Sequence, residues 1–547
     1  MNFINNQSYF VAPKSVVLRK EPKSNSEALN HLIYGDWMRF LGEENNGWAK
    51  IHSRGNYGWI PKNAVQEERI LEINFVDIGI GDGCHIVTPE DEIIIIDAGQ
   101  TDNMARFINW RYNIRNRDVV GVDGVTSNDP NTKPPMEIDH VVISHPDKDH
   151  YYGLKYLFDN KKLTFKNVYH NGILERPKDL ANQDLGLKYY SSEDLGGYAT
   201  SNNKKFLWDT VNTNVEMHNL IKRYKTSTKD YLETLKALVS NNPNVKFTTL
   251  SINDKFFANF DDSNPLKIEV LGPVTEKVSY DGKNKQCLIR LKDEGKTKNG
   301  HSVIFKLQLD KLKVFLGGDL NTQSEDYLLK YYTETKKEVS ELEHEMTELL
   351  SKGKNINADE EQELLECQAE INTIITKGRK FFQVDIAKAC HHGSHHFSET
   401  FLRCLNSIAS VISSGDGDSY AHPRPDALGA FGKYGRGERP LIFSTEIGRS
   451  TNEFTYVKEY IKEILAFDEA IKNAPTEREK NEIQKEMEKR KDSNVATYGM
   501  ITVRTNGDKT YLMQKLEKPR KKSEKWDIHE LRFNNNTEQF EYVEKLH

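Results

Sequence analysis

Ile138–Leu154 read IDHVVISHPDKDHYYGL and join a short apolar strand to a dense group of metal-binding side chains. The β-branched run Val141–Ile143 is typical of a buried strand. Two imidazoles and two carboxylates follow within six positions, namely His145, Asp147, Asp149 and His150. Neighbouring carboxylates repel each other, and a divalent metal or a pair of metals removes that cost. The stretch therefore predicts a metal site at a strand end; the alternative is a polar turn whose acidic groups face water.

The pattern His145-x-Asp147-x-Asp149-His150, followed by Gly153, resembles the ligand loop of the metallo-β-lactamase fold. The aspartate at the second ligand position makes it similar to ComEC-like hydrolase domains, whose loop also reads HxDxDH. The resemblance extends from about residue 71 to residue 515, with large interruptions. It implies an α/β fold, namely the αββα sandwich of the metallo-β-lactamases with helical insertions.

The same resemblance implies a site built from three distant parts of the chain. It assigns two ligands to one cation, His145 and Asp147, and three to a second cation, Asp149, His150 and His391. Asp319 follows two glycines after a predicted strand and is expected to bridge the cations. Many enzymes of this fold place a third histidine near the position of Gly272, where this chain has none, and His170 is a weak substitute.

Matching strings elsewhere imply roles for side chains outside the ligand set. Catalytic roles are expected for Asp149, His392 and His422, and substrate contacts for Asn299, Ser302, Ser394 and His422. His422 is placed to protonate a leaving group or to bind a phosphate. Hydrogen bonds that orient the ligands are expected from Asp77, Asp82 and Asp97. For Asp82 a solvated turn carboxylate is an equally good interpretation.

The implied cofactors are two divalent metal ions about 3.5–4 Å apart, which lower the pKa of a bound water and polarise a phosphoryl or carbonyl oxygen. Asp147 adds hard oxygen character, so the ions are Zn²⁺ or Mn²⁺, with Mg²⁺ as a further option. The resemblance to ComEC-like domains, together with the lysines of the first insertion, implies a phosphodiesterase, specifically a nuclease that cleaves DNA. Two alternatives stay open: a hydrolase of a small molecule (a cyclic or signalling nucleotide, an ester or a lactone), and a non-catalytic scaffold in a multiprotein assembly.

The composition sets limits on partners and location. The chain has 547 residues, 37% hydrophobic and 29% charged, and a net charge of −6, so any nucleic-acid site must be a local basic patch. Five cysteines lie scattered without a CxxC pair, which favours a reducing compartment. Neither a signal peptide nor an apolar run of about 20 residues is evident. We therefore expect a cytoplasmic protein that does not associate with membranes.

Three regions are predicted along the chain. Residues 1–68 form a small β-barrel that resembles a bacterial SH3-type domain, with Arg19, Pro22, Gly47-Trp48 and Gly58-Trp59 in the corresponding places. Residues 69–515 form the hydrolase domain, with insertions at about 174–246, 323–378 and 450–492. Residues 516–547 are expected to be a charged, solvated tail.

The insertions suggest where partners bind. The first concentrates basic side chains that are either a solvated helical face or a phosphate track for nucleic acid: Lys204, Lys205, Lys222, Arg223, Lys225 and Lys229. The second predicts an antiparallel helical hairpin, and the third an amphipathic helix with Phe454, Val457, Ile461 and Ile464 on one face. These helices and the SH3-type domain are surfaces for a partner protein or self-association. The architecture is compatible with a component of a prokaryotic (antiphage) defence system.

Overall fold

The computed structural model describes residues 3–119, 133–175, 195, 197–223, 230–415, 420–445, 466–467, 469–493, 500–516 and 521–543. A β-rich unit comes first. Its strands are β1 (Ser8–Val11), β2 (Ser15–Arg19), β3 (Ala28–Ile33), β4 (Trp37–Asn45), β5 (Trp48–Ser53), β6 (Asn56–Pro61) and β7 (Val65–Gln66). They form one sheet in the order β3-β2-β6-β5-β4-β1-β7 around apolar side chains such as Leu18, Phe40 and Ile51.

The later strands are β8 (Leu71–Phe75), β9 (Cys84–Val87), β10 (Ile93–Ile96), β11 (Met136–Val142), β12 (Leu163–His170), β13 (Tyr198–Ser201), β14 (Lys204–Leu207), β15 (Lys246–Thr249), β16 (Leu266–Gly272), β17 (Glu276–Tyr280), β18 (Lys283–Ile289), β19 (Ile304–Leu309), β20 (Leu312–Leu316), β21 (Ile386–Lys388), β22 (Ala409–Ile412), β23 (Leu441–Ser444), β24 (Ile501–Thr505), β25 (Lys509–Lys515), β26 (Trp526–Asn534) and β27 (Gln539–Val543). Ten of them form sheet I, in the order β15-β12-β11-β10-β9-β8-β24-β25-β26-β27. Six form sheet II, β16-β19-β20-β21-β22-β23, and four form a small sheet, β13-β14-β18-β17.

The described helices are α1 (Asn103–Tyr112), α2 (Lys148–Tyr151), α3 (Leu154–Phe158), α4 (Asn214–Arg223), α5 (Asp230–Asn241), α6 (Glu294–Gly300), α7 (Thr322–Thr333), α8 (Val339–Ser351), α9 (Ala358–Phe382), α10 (Glu399–Leu405), α11 (Pro425–Tyr434) and α12 (Glu477–Ser493). Within the described ranges, each helix is too short or too polar to cross a bilayer.

Sheets I and II pack face to face, and helices cover their outer sides. The facing sides share one apolar core, to which Ile73 and Ile94 contribute from sheet I and Phe305 and Val411 from sheet II. Helices α1, α3, α4 and α5 bury their apolar faces on the outside of sheet I. Helices α7–α11 do the same on sheet II. This layering follows from strands that are apolar on both sides and helices that are apolar on one. The mixed α/β class and the N-terminal β-rich unit agree with the sequence-based expectation.

Three regions outside the core can be compared with the prediction. Helices α4, α8 and α9 form where helices are expected, and α8 and α9 pack against each other as a hairpin whose base is buried against α7 and α10. The residues beyond 515 differ from the expected solvated tail, because β26 pairs with β25 and β27 pairs with β26, which extends sheet I by two strands. The amphipathic face at residues 454–464, the basic residues Lys225 and Lys229 and the side chain of Arg223 lie outside the described part of the chain.

Candidate functional site

Four strand ends from sheets I and II meet at one edge of the sandwich. Strands β10 and β11 are parallel neighbours in sheet I, and β20 and β21 are parallel neighbours in sheet II. Their carboxyl ends lead into Asp97, the loop Ser144–His150, Asp319 and His392, respectively. The two sheets are joined here by the backbone, since Val303 N donates to the carbonyl of Ser144 at 2.9 Å. Side chains 50 to 300 positions apart in the chain are thereby brought together.

Four side chains at this edge converge on a common centre: Asp149, His150, Asp319 and His392, with one ligand atom from each within 4.8 Å of the others. Asp319 Oδ2 lies 3.2 Å from His150 Nε2 and 3.1 Å from His392 Nε2. Asp149 Oδ2 lies 3.3 Å from His392 Nε2. Despite burial, His150 Nε2, His392 Nε2 and Asp319 Oδ1 make no hydrogen bond. Two imidazoles and two carboxylates, three of them with a buried ligand atom that lacks a hydrogen bond, fit a divalent cation such as Zn²⁺ or Mn²⁺.

Hydrogen bonds behind the ligands hold them in place. Asp97 Oδ2 lies 2.9 Å from His150 Nδ1 and accepts from Ser144 Oγ at 2.6 Å, and its Oδ1 accepts from Ser144 N at 2.8 Å. His392 Nδ1 lies 3.1 Å from both Asp82 Oδ1 and the carbonyl of Ser413. With Nδ1 of each ring engaged as a donor, the Nε2 lone pair faces the centre, which is the orientation that a metal requires. Asp82 and Asp97, for which the sequence predicts an orienting role, thus lie next to Nδ1 of the two imidazoles.

The electrostatics of this ligand group favour positive charge. Burial by itself lowers the pKa of His150 and His392, but nearby carboxylates, Asp319 foremost, outweigh it and raise both pKa values well above the usual range. Burial raises the pKa of Asp319 and Asp149, yet the two imidazoles hold both pKa values below the usual range. The carboxylates are therefore ionised, and a divalent cation can supply the positive charge in place of protons on the imidazoles.

Glycines let the backbone approach the ligand loop closely. At Gly81 the backbone has φ +102°, and a Cβ atom there would lie 1.7 Å from the carbonyl oxygen of Asp149. At Gly153, the residue that follows the ligand motif, a Cβ atom would lie 2.1 Å from the carbonyl oxygen of Ala98. Any larger residue would therefore displace the loop that carries Asp149 and His150.

His145 and Asp147 lie beside the ligand group but are not part of it. His145 Nδ1 lies 3.1 Å from Ser144 Oγ and 3.2 Å from Ser302 Oγ, and its ring centroid is 4.1 Å from that of His150. Asp147 pairs with the ammonium group of Lys298, and Asp147 Oδ2 lies 3.7 Å from His145 Nε2. The two residues expected to hold a first cation are thus engaged with protein groups.

The ligand group contains His392, for which the sequence allows a ligand or a substrate contact, and does not contain His391, which the sequence assigns to the second cation. His392 Nε2 contacts the ligand group, whereas the His391 ring lies beside it, with its centroid 6.2 Å from that of His392 and 5.9 Å from that of His422. Both residues have left-handed backbones, with φ of 49° and 54°. Burial lowers the pKa of His391 to about 4, against the opposing effect of Asp319. The geometry therefore places His392 in the ligand group and His391 between His392 and His422, a difference from the sequence-based assignment of His391.

The other predicted site residues lie at varying distances from the ligand group. Ser302 Oγ accepts from Asp319 N at 3.1 Å, and Ser394 Oγ accepts from His396 N at 3.2 Å, so both shape the site loops. Asp77 Oδ1 accepts from Gly79 N at 3.4 Å in the turn after β8. His422 lies 6.2 Å from His392 between ring centroids, and Asn299 contacts Asp147.

His170, the predicted substitute for a third histidine ligand, uses one of its ring nitrogens in a local hydrogen bond. Its Nδ1 accepts from Gly172 N at 3.0 Å, and burial lowers its pKa to about 4, so the ring is neutral. Among the described residues, the groups of side chains that could hold a metal do not contain His170.

Two lysines at the site were not foreseen. Lys388, at the end of the buried strand β21, pairs with Asp82, lies 3.7 Å from Asp319 Oδ1 and donates to the carbonyl of Gly318 at 2.9 Å. Lys298 pairs with Asp147 and, at 2.8 Å, with Glu175 Oε1. A lysine within an apolar strand is rarely buried unless it is paired, so the segment IAK was a usable signal for Lys388. No comparable signal marks Lys298, which lies in a polar segment.

Comparison with known proteins identifies the first unit alone. Residues 12–67 match the family described as Bacterial SH3 domain. No curated protein matches the chain.

Proposed function

We propose that residues 69–515 form a metal-dependent hydrolase of the metallo-β-lactamase type, and that it is a phosphodiesterase that cleaves DNA. The observation that carries the proposal is the convergence of Asp149, His150, Asp319 and His392 around buried ligand atoms that make no hydrogen bond. The HxDxDH loop and the packing of two sheets between helical layers support the assignment. A non-catalytic scaffold would need neither feature. Burial of two imidazoles and two carboxylates together would cost a scaffold stability without any gain in function.

The chain's own groups have distinct parts in this chemistry. A divalent cation bound by the four ligands would polarise a phosphoryl oxygen and lower the pKa of a bound water. Asp97 and Asp82 hold the ligand imidazoles with Nε2 directed at the centre. His422, beside His391 and stacked on Tyr420 with ring centroids 5.8 Å apart, is placed to hold a proton for the leaving group. The neutral imidazole of His391, which lies beside His422, would offer a hydrogen bond to a substrate oxygen.

Exposed basic side chains support a polyanionic substrate. Lys204 and Lys205 of β14 and Lys283 of β18 are exposed on neighbouring strands of the small sheet. The segment after β18 leads through Arg290 into α6, which carries Lys298 to the site. Lysines on one exposed sheet provide the local positive field that the negative net charge of the whole chain lacks.

The proposal is tested with the full-length chain and matched histidine variants. Cleavage of single-stranded DNA, double-stranded DNA and RNA is measured with Mn²⁺, Mg²⁺ and Zn²⁺. We expect His392→Ala and Asp319→Asn to lose at least 100-fold in activity. His395→Ala is the control, because His395 is exposed in the same loop and outside the ligand group. Undiminished cleavage by His392→Ala and Asp319→Asn, at equal fold content by circular dichroism, would refute the proposal.

A small-molecule hydrolase is the second candidate, and the depth of the site favours it. The side chains of His150, Asp319 and His392 are 0%, 3% and 6% exposed, and Asp149 is the most open ligand at 29%. A narrow approach of this kind suits a cyclic nucleotide or a flexible single strand better than a rigid duplex. Turnover of cyclic nucleotides or of bis(p-nitrophenyl) phosphate without cleavage of any nucleic acid would select this candidate.

A further inference from the structure

Both oxygens of Asp147 are occupied by protein groups. Oδ1 pairs with the ammonium group of Lys298. Oδ2 accepts from the side-chain amide of Asn299 at 2.6 Å, in the amide orientation that satisfies its neighbours. The same Asn299 nitrogen donates to the carbonyl of Gly295 at 3.0 Å. The carboxylate that the sequence assigns to a first cation therefore has its negative charge balanced by a lysine.

The lysine is held firmly in this position. Lys298 Nζ lies 2.8 Å from Glu175 Oε1, and its side chain is only 15% exposed. Helix α6 begins at a capped end, where the Asp293 side chain accepts from Lys296 N at 2.8 Å. At its other end Ser302 Oγ donates to the carbonyl of Asn299 at 2.7 Å. The helix thus fixes the direction in which Lys298 leaves the backbone, and two carboxylates hold the ammonium group.

The two halves of the site differ in which atoms are left over. His150 Nε2, His392 Nε2 and Asp319 Oδ1 make no hydrogen bond, and the Lys388 ammonium group, 3.7 Å from Asp319 Oδ1, pairs more closely with Asp82. Asp147 instead has a partner at each oxygen, Lys298 at Oδ1 and Asn299 at Oδ2, while His145 contacts Ser144 and Ser302 through Nδ1. A divalent cation at Asp147 would lie next to a lysine ammonium ion, and the two like charges would repel each other.

We propose that the site binds one divalent cation, at Asp149, His150, Asp319 and His392, and that the Lys298 ammonium group stands where a second cation would bind beside Asp147. This inference rests on the proposed metal site and departs from the sequence-based expectation of two ions. Lys298 then offers a fixed positive charge to an anionic oxygen of the substrate on the His145 side of the ligand group. Unlike a metal ion, this charge survives treatment with chelators.

The test is the number of ions bound by the purified full-length chain. Chelated protein is equilibrated with Mn²⁺, freed of unbound metal and measured by elemental analysis and by electron paramagnetic resonance, which separates an isolated Mn²⁺ from a coupled pair. We expect one isolated ion per wild-type chain. Lys298→Met keeps the aliphatic length, leaves Asp147 and Glu175 without their cation, and is expected to bind close to two ions. Lys292→Met, at an exposed position just before the same helix, is the control and should bind one.

Each outcome bears on the inference. Two ions in the wild-type chain would overturn it, and so would a single ion in folded Lys298→Met. If Lys298→Met does not fold, Asp147→Asn in the lysine-bearing chain decides: retention of one ion with unchanged affinity supports the inference, and loss of the ion overturns it. One bound ion without any hydrolysis would leave this inference standing and contradict the proposed function. No bound ion would contradict both.

Discussion

Replacement of Asp97 by asparagine tests the hydrogen bonds that orient His150. The carboxylate lies at the end of β10, is 1% exposed and accepts hydrogen bonds from Ser144 N and Oγ while contacting His150 Nδ1 at 2.9 Å. Its backbone is left-handed, with φ +56°, a conformation that asparagine tolerates. Asp97→Asn therefore keeps the backbone and the shape of the side chain but removes the negative charge and one acceptor.

The expected loss of metal affinity follows from that single change. Without the carboxylate of Asp97, the proton is held less firmly on His150 Nδ1, and Nε2 is less available to a metal. Removal of such an orienting group costs 10–100-fold in affinity, or about 1.4–2.7 kcal/mol. A charge-assisted hydrogen bond contributes about 1.5–3 kcal/mol, which agrees with this range. We therefore expect Asp97→Asn to bind Mn²⁺ or Zn²⁺ about 10–100-fold more weakly than the wild-type chain.

The measurement is isothermal titration calorimetry, or competition with a chelator of known affinity. Asp91→Asn is the matched control, because Asp91 also has a left-handed backbone, φ +71°, but its side chain is 69% exposed and pairs with Arg69 on the surface. It should bind metal as the wild-type chain does. Affinity of Asp97→Asn within two-fold of that of Asp91→Asn would show that Asp97 does not orient a metal ligand.

Three further predictions concern stability, each measured by urea or thermal unfolding. Burial, together with Glu343 and Glu338, raises the pKa of Asp326 from 3.8 to about 6 despite a hydrogen bond with Ser340, so stability is lost as pH rises from about 4 to 6. Asp326→Asn should therefore add up to about 3 kcal/mol to the free energy of unfolding at pH 8 and nothing below pH 4. Equal gains at both pH values would be inconsistent with this origin. Gly81→Ala should cost about 2–4 kcal/mol of stability and weaken metal binding. The control Gly47→Ala, at a backbone φ of +81° with nothing within 4 Å, should cost about 1 kcal/mol. Similar costs for both would contradict the role of the close approach between Gly81 and the carbonyl of Asp149. Arg504→Met should cost about 3–5 kcal/mol of stability, because the 1% exposed guanidinium lies 3.1 Å from Glu72 and 3.5 Å from Asp36 of the β-rich unit. The substitution should also speed proteolysis between the β-rich unit and sheet I. An unchanged rate of cleavage there would count against this link.

Short-range patterns in the sequence encode the N-terminal unit and part of the candidate metal site. Residues 12–67 match the bacterial SH3 family within the predicted boundaries of 1–68. The ligand loop was found because strand, turn and ligands are contiguous in residues 138–154, and Asp149 and His150 of that loop do join the ligand group. Asp319 also joins it, from the strand end at which the resemblance placed it.

The sequence alone could not distinguish between neighbouring donors or find cross-chain pairs. His391 and His392 are adjacent, and their left-handed turn decides which imidazole faces Asp319. Lys298 reads as one lysine among several in a polar helix, and only the packing of α6 against the loop brings it to Asp147. Likewise, β26 and β27 have charged residues along their exposed side, so their membership of sheet I depends on the pairing of β26 with β25 and of β27 with β26.

The amino-acid sequence by itself identified the N-terminal unit and the cluster of imidazoles and carboxylates in residues 138–154, because both depend on residues close together in the chain. The tertiary structure alone decided which histidine joins Asp319, and that a lysine neutralises Asp147. The physical reason is that charge compensation in a buried site depends on distances of about 3 Å between groups that are remote in sequence. Such distances are set by how two sheets and a short helix pack, and no local pattern records them.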